Sequence, residues 1–288
     1  MDEGEERMFT TLISVAELDS LLQGDSSLTV VLDCRSYLTA PEKGEAVYRE
    51  GHISGAGYLH LEEDLSAPLT PQTGRHPLPD LTKLAQTFRS RGVSKETQVV
   101  VYDDCGAAMA ARAWWLFRLL GHTQVAVLDG GYPAWLAAGL SVTDQLPSPL
   151  PGNFVAEPEM SMILLLEQVT GSVSGGMLID ARTPERFRGE QEPIDPVAGH
   201  IPGAVNRPLQ LNLTADGTFK SAELLRQEWL DFIADYQPQQ VAHYCGSGVT
   251  ACHNLLAMEH AGLHGAKVYP GSWSEWIRDP QRPVATGE

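Results

Sequence analysis

The sequence lacks several features that would place a protein in a broad class at once. No apolar run approaches the length of about 20 residues that spans a bilayer. Basic residues are scarce, since 20 Lys and Arg stand against 37 Asp and Glu, a formal net charge of -17. This balance argues against binding to nucleic acids or to anionic membranes. A small anionic substrate is still compatible with it, because a local site can be positive on an acidic protein.

Cysteines are few as well. The four of them, Cys34, Cys105, Cys245 and Cys252, form no Cys-x-x-Cys pair and no zinc-site spacing. The sequence therefore predicts neither a metal site nor an organic cofactor. The first eleven residues are acidic and lack the basic-then-apolar order of a signal peptide. Thiols that stay reduced fit such a chain, and a cytoplasmic location is expected.

An internal repeat organises the rest of the chain. Three blocks of the first half recur in the second, residues 32–35 as 179–182, 51–56 as 199–204 and 127–135 as 268–276. A period this long indicates a duplicated domain and not a solenoid. The proline-rich segment 144–158 is predicted to be a semi-rigid linker. We therefore expect two domains, residues 1–150 and 151–288.

Short apolar runs alternate with helix-like stretches in both halves. The predicted strands are residues 28–33, 98–102, 124–129, 177–180, 240–244 and 266–269, and the predicted helices are residues 107–120, 223–234 and 251–262. This alternation predicts an α/β fold in which helices cover both faces of a parallel sheet. Ligands of such sheets bind beyond the carboxyl ends of the strands.

Cys245 stands at such a strand end. It is followed by Gly246, Ser247 and Gly248 and then by a predicted helix. Loop amides and the positive end of a helix dipole stabilise a thiolate at this kind of position, and the glycines allow the amides to turn inward. Extending the 127–268 alignment back along the chain puts Cys245 on Asp104. The first copy therefore lacks the nucleophile, and one active site per chain is predicted.

Other conspicuous residues are given structural roles. Cys252 is predicted to be a small apolar helix residue, with a redox partner of Cys245 as the alternative. The remaining structural candidates are Cys34 and Cys105, Arg182 as an ion-pair partner of Asp180, His52 and His200 because they recur in both halves, and Trp114 and Trp115 as core. Trp273 is expected at the mouth of the pocket.

Together these residues resemble the rhodanese superfamily, specifically its two-domain sulfurtransferases of the 3-mercaptopyruvate type. The resemblance rests on the paired segments 51–56 and 199–204, on the closing segment 271–276 and above all on the loop 245–250. It implies two tandem rhodanese-like domains, each with a central parallel sheet of about five strands flanked by helices. It also implies that the N-terminal domain is catalytically inactive.

The resemblance implies a ping-pong mechanism. The Cys245 thiolate takes a sulfur atom from a small-molecule donor and becomes a persulfide, and a thiol or cyanide then removes the outer sulfur. The amides of Gly246, Gly248, Val249 and Thr250 would hold the anion. A protein thiol is an alternative acceptor, because the loop is expected to be exposed.

The roles of further side chains also follow from the resemblance. Ser247 resembles the loop serine of the family, and His76 resembles the histidine that relays protons with it. Glu62 aligns best with the acidic member of this relay, with Asp64 as a near alternative.

The charge of the loop residues indicates which sulfur donor is used. Relatives that prefer thiosulfate carry basic residues in the loop, where this chain has the neutral Gly246 and Ser247, so 3-mercaptopyruvate is expected and thiosulfate is the alternative. Arg186 would hold the donor's carboxylate. Relatives often have a second arginine after a Glu-Pro pair, but residues 192–195 contain none. Arg188 is a candidate substitute.

Two other functions compete with this interpretation. Cysteine phosphatases place an arginine six residues after the cysteine to clamp phosphate, and this chain has Ala251 there. Phosphatase activity is therefore not expected. The second alternative is a persulfide carrier or regulatory module that loads sulfur without turnover.

Overall fold

The centre of the first half is a parallel sheet. The computed structural model describes residues 8–24, 28–171 and 176–288. The strands of the first half are β1 (Leu12–Ile13), β2 (Thr29–Asp33), β3 (His52–Ile53), β4 (Gly57–Tyr58), β5 (Gln98–Tyr102), β6 (Val125–Leu128) and β7 (Val142–Thr143). Five of them form a sheet of order β1-β6-β5-β2-β4 in which every neighbouring pair is parallel. The short strands β3 and β7 form a separate antiparallel pair.

Helices cover both faces of this sheet. They are α1 (Val15–Gln23), α2 (Glu42–Glu50), α3 (Leu81–Ser90), α4 (Ala110–Leu119) and α5 (Gly131–Ala137). Alternate side chains of β5 point to opposite faces, as the pleat of a strand requires. Val101 belongs to the same hydrophobic cluster as Leu116 of α4, whereas Val100 belongs to a cluster with Leu18 of α1 and Trp135 of α5. The predicted α/β layering is confirmed.

The second half repeats this plan with a smaller sheet. Its elements are α6 (Leu166–Gly171), β8 (Met177–Asp180), α7 (Pro184–Phe187), β9 (Val205–Asn206), α8 (Ala222–Ile233), β10 (Val241–Tyr244), α9 (Ala251–His260), β11 (Lys267–Val268) and α10 (Ser272–Trp276). The parallel order is β11-β10-β8-β9, and Ile163 adds a single parallel bridge to Val268 where the first half has β1. None of the described helices is long and apolar enough to cross a membrane.

The two halves share one hydrophobic core. A continuous cluster of buried side chains contains Trp114 of α4 together with Leu255 and Leu256 of α9. Arg118 of α4 also forms an ion pair with Glu259 of α9 at 3.5 Å. The interface between the halves is therefore built mainly from the helices that follow the two central strands.

The linker segment adopts no helix or strand between residues 144 and 158. It runs along the first half, where the Gly152 amide donates to the Arg89 carbonyl and the Glu157 amide to the Leu120 carbonyl. A domain boundary near residue 150 stays a prediction.

One element boundary differs from the prediction for a clear reason. The helix expected over residues 107–120 begins only at Ala110. The carboxylate of Asp103 accepts hydrogen bonds from the amides of Cys105, Ala107, Met109 and Ala110, at 2.7 to 3.0 Å. Residues 104–109 wrap around this carboxylate and cannot be helical. The strands at residues 98–102 and 177–180 have the predicted ends, and the ends of the other predicted elements differ by at most two residues, as helix and strand ends commonly do.

Candidate active site

The loop that begins at Cys245 lies at the carboxyl end of β10. That strand ends at Tyr244, and α9 begins at Ala251. The loop is anchored to α10, because the Cys245 amide donates to Ser272 Oγ at 3.1 Å and the Cys245 carbonyl accepts from the Trp273 amide at 3.0 Å. Hydrogen bonds to both the backbone amide and the backbone carbonyl of Cys245 thus fix its position.

The sulfur of Cys245 is enclosed. The residue is 2% exposed, and the Gly248 amide donates to Sγ at 3.2 Å. Gly248 has φ +75°, and a Cβ there would lie 2.2 Å from the Pro270 carbonyl oxygen, so only glycine fits. Residues 246–249 are buried too, and the expectation of an exposed loop is wrong. Among the described residues only the Gly248 amide donates to this sulfur, although inward-facing amides were expected throughout residues 246–250.

The structure brings the three proposed relay residues together. The Nδ1 atom of His76 lies 2.7 Å from Ser247 Oγ, and its Nε2 atom lies 3.7 Å from Glu62 Oε1. His76 comes from the first half and is 6% exposed. Asp64 is used elsewhere, because its Oδ2 accepts from the His60 amide and faces Arg91 at 3.4 Å. Glu62 is therefore the carboxylate beside His76.

Burial sets the charge of this relay. Desolvation lowers the pKa of His76 below 6.5, and the neighbouring Arg112 and Arg75 guanidinium groups lower it as well, against the opposing effect of Glu62. The pKa of Glu62 would rise through burial, but its hydrogen bonds, the one with His76 first, bring it below the usual value. At neutral pH the pair is thus a neutral imidazole beside a carboxylate.

Two arginines flank Gly246, the residue that follows Cys245. A Cβ placed on Gly246 would lie 2.8 Å from an Nη atom of Arg75 and 3.4 Å from an Nη atom of Arg186. Both guanidinium groups share Asp195, and Arg186 also pairs with Glu192 at 2.7 Å. Two cations and two carboxylates therefore meet at the mouth of the loop.

The candidate substitute for the second arginine is wrong. Arg188 pairs with the exposed Glu190 at 2.8 Å, on the surface of the molecule. Arg75 occupies the place beside Arg186 instead. It precedes His76 directly in the sequence, and this adjacency was the signal that could have pointed to it.

Comparison with known proteins identifies the fold and its lineage. The sequence model of the rhodanese-like domain matches residues 14–138 and again residues 165–279. The chain belongs to the rhodanese family. It consists of two tandem rhodanese domains, and the resemblance noted in the sequence is confirmed.

Relatives of this chain are named as sulfurtransferases. It is 49% identical over 263 residues to a probable 3-mercaptopyruvate sulfurtransferase of Pseudomonas aeruginosa, which covers 90% of this chain and 93% of that protein. It is 42% identical to a putative thiosulfate sulfurtransferase of Mycobacterium tuberculosis over 96% of this chain and 97% of that protein. The solved 3-mercaptopyruvate sulfurtransferase from Leishmania major aligns with a TM-score of 0.82 at 29% identity, over 94% of this chain and 76% of that one.

The hydrogen bonds of the two rhodanese domains correct the sequence alignment by one residue. Tyr102 and Tyr244 occupy equivalent places, since each ends the central strand and each hydroxyl accepts an isoleucine amide, from Ile53 and Ile201. Asp103, and not Asp104, is therefore the counterpart of Cys245. The loop of the first domain is one residue longer, which shifted the alignment. The conclusion that the first copy carries an aspartate in place of the nucleophile is unchanged.

Several residues have the structural partners that the sequence predicted. Arg182 pairs with Asp180 at 2.7 Å, as Arg35 pairs with Asp33 at 2.7 Å in the other rhodanese domain. His52 and His200 both bond a backbone carbonyl through Nδ1 at 2.8 Å. Trp114 and Trp115 are fully buried, and so are Cys34 and Cys252.

The prediction for Trp273 is wrong. Trp273 does not line the pocket mouth, because it is fully buried, donates to the Val197 carbonyl at 2.9 Å and stacks on Arg182. Cys105 is exposed, and its amide donates to the Asp103 carboxylate at 3.0 Å, so a structural role for its side chain stays a prediction.

Proposed function

We propose that this chain is a sulfurtransferase that moves a sulfur atom from 3-mercaptopyruvate to a small thiol or to cyanide through a persulfide on Cys245. The observation that carries the proposal is the 2.7 Å contact between Ser247 and His76, two residues from the nucleophile. A donor whose sulfur is bonded to carbon needs a proton on the departing carbon, and a hydroxyl–imidazole pair can deliver it. Thiosulfate releases sulfite, which needs no proton.

The first half-reaction is a sulfur transfer with an internal proton transfer. The Cys245 thiolate attacks the donor's sulfur, a sulfur–sulfur bond forms, and the carbon–sulfur bond breaks with its electron pair going to carbon. The donor's thiol proton passes through the Ser247 hydroxyl to His76 and returns to that carbon. Pyruvate and an anionic persulfide result. Glu62 stabilises the imidazolium that forms in between, at 3.7 Å from Nε2.

The second half-reaction restores the enzyme. A thiolate or cyanide attacks the outer sulfur, the sulfur–sulfur bond breaks, and Cys245 leaves as a thiolate held by the Gly248 amide. Because Cys245 is 2% exposed, a small acceptor fits better than a protein thiol in the arrangement described here.

We infer that Arg186 and Arg75 hold the donor's carboxylate. Their guanidinium groups flank Gly246, one residue from the nucleophile. Glu192 and Asp195 already balance the two positive charges, so the net charge there is close to zero. Such a pocket favours a monoanion such as 3-mercaptopyruvate over the dianion thiosulfate, since a second negative charge is repelled by the two carboxylates.

The comparison that tests this proposal is kcat/KM for the two donors with cyanide as the common acceptor. We expect the value for 3-mercaptopyruvate to exceed that for thiosulfate by roughly tenfold or more, about the value of one charge-assisted hydrogen bond. A higher value for thiosulfate would reject the assignment of the donor. Sulfur loading without repeated turnover on either donor would favour the persulfide carrier instead.

Removing either guanidinium group should weaken donor binding. We expect Arg186→Met and Arg75→Met each to raise KM for 3-mercaptopyruvate roughly tenfold, because hydrogen bonds to charged groups contribute about 1.5–3 kcal/mol. The matched control is Arg188→Met, whose side chain pairs with Glu190 on the surface and should leave KM unchanged. Steady-state kinetics with the three variants measures this, and an unchanged KM in Arg75→Met would remove Arg75 from the donor site.

A further inference from the structure

Arg112 of α4 is a buried cation without an acidic partner. It is fully buried in the N-terminal domain and donates to three carbonyl oxygens, those of Gly248 at 3.0 Å, His76 at 3.3 Å and Leu65 at 3.4 Å. Its guanidinium is also a hydrogen-bond partner of the Cys252 thiol. Its Nε has no hydrogen-bond partner, and the guanidinium stacks on Trp115. Within the described part of the chain no carboxylate forms an ion pair with it.

The other buried arginines of this kind are paired. Arg35 and Arg182 each form a bidentate contact with the aspartate two residues before them. An arginine stays charged in proteins, and burying a lone charge is strongly unfavourable. Burial lowers the pKa of Arg112, and the thiols of Cys252 and Cys245 act in the opposite direction. One of these two sulfur atoms is therefore the candidate for the negative charge that balances Arg112.

Cys252 cannot supply it at neutral pH. Its thiol donates to the Gly248 carbonyl at 3.4 Å, and burial raises its pKa to about 12, so it stays protonated. Cys245 remains. Gly248 links it to Arg112, because the amide of this residue donates to Cys245 Sγ while its carbonyl accepts from the guanidinium.

We propose that Arg112 of the inactive domain is the counter-ion of the anionic sulfur on Cys245, in the thiolate and in the persulfide. It is a positioning residue, since it reaches the sulfur through Gly248 and does not touch the reacting atoms. The loop itself supplies no cation, because Gly246 and Ser247 are neutral. Arg112 then supplies the positive charge from the N-terminal domain. The inference rests on the proposed function only in taking Cys245 as the nucleophile, and the identity of the donor does not enter it.

Other charged groups lie around the Cys245 loop, and they also affect the electrostatic potential there. Arg75 and Arg186 are beside Gly246, but Asp195 and Glu192 already balance them. The remaining groups are Glu62, an anion beside His76, and His76 itself, whose pKa burial lowers, so it is neutral where a thiol titrates. Arg112 is the cation of this set that lacks a carboxylate.

The test measures how readily the Cys245 sulfur ionises. In Arg112→Met we expect the rate of alkylation of Cys245 by iodoacetamide at pH 7 to fall about tenfold, and the rate–pH curve to move to higher pH, because loss of a cation disfavours the thiolate. Arg112→Lys keeps the charge and should lie close to wild type. Peptide mass mapping assigns the label to Cys245.

Arg118→Met is the matched control, on the same helix and also at the interface between the domains. Its alkylation curve should equal that of the wild type. A folded Arg112→Met protein with an unshifted curve overturns the inference, and so does an Arg112→Lys curve shifted as far as that of Arg112→Met. Failure of the proposed function would look different, because wild-type protein would then load no sulfur.

A stability measurement covers the case in which Arg112→Met does not fold. If Cys245 ionises against Arg112, the wild type should gain melting temperature over Cys245→Ser as pH rises from 6 to 9, because the thiolate is stabilised in the folded state alone. A constant difference over this range overturns the inference. Where Arg112→Met does fold, it should lower the melting temperature more in the wild type than in the Cys245→Ser background. Equal losses in the two backgrounds overturn it as well.

Discussion

The Cys245→Ser protein is expected to carry no sulfur after treatment with 3-mercaptopyruvate and to turn over neither donor. A serine hydroxyl is not ionised at neutral pH and forms no persulfide, so the route through the enzyme is lost. Intact-mass measurement should show the addition of one sulfur atom to the wild type and none to the variant. Activity should fall to the background rate.

Cys252→Ala is the matched control for this experiment. Cys252 is buried in α9, and its pKa of about 12 keeps its sulfur protonated. The Cys252→Ala protein should therefore load one sulfur atom like the wild type. Sulfur retained in Cys245→Ser and lost in Cys252→Ala would contradict the assignment of the nucleophile.

Replacing Ser247 by alanine should separate the two donors. We expect kcat for 3-mercaptopyruvate to fall roughly 100-fold or more, the usual contribution of proton transfer by a positioned group. Turnover of thiosulfate should change little, because sulfite leaves without a proton. His76→Asn should reproduce this separation, since its Nδ1 is the partner of the Ser247 hydroxyl.

The pH profile gives an independent check on the same relay. Burial lowers the pKa of His76, so the imidazole is neutral at pH 7 and becomes protonated only at more acidic pH. The kcat for 3-mercaptopyruvate should thus be level around neutrality and decline as pH falls below 6.5.

An equal loss of activity on both donors in the Ser247→Ala protein would show that Ser247 supports the loop and not the proton transfer.

The fold could be predicted from the sequence because its signals are local. Buried strands of five residues such as Thr29–Asp33 and Gln98–Tyr102, alternating with helices, are sufficient to indicate a parallel sheet. Cys245 could be found for the same reason, as a strand end followed by glycines. The alignment of the first copy with the second was wrong by one residue at this loop, because nothing in the sequence marks the extra residue of the loop that wraps around Asp103.

The charges of the site could not be predicted in the same way. Arg75 and Arg112 approach the Cys245 loop from the first half of the chain, and only the packing of the two halves brings them there. Arg112 lies within a helix of apolar residues and has no distinguishing spacing. The sequence shows that residues 192–195 lack the arginine expected there. It does not show that this segment supplies two carboxylates, Glu192 and Asp195, which neutralise Arg186 and Arg75.

The core that joins α4 and α9 has a consequence for the evolution of this chain. The first copy has Asp103 where the second has Cys245, but we expect that it cannot be deleted. Removing it would expose the apolar side of α9, and the remaining half would have neither His76 nor Arg112. Because the two copies share this core, we expect them to unfold together, so a substitution in the first copy can be as harmful as one beside the sulfur.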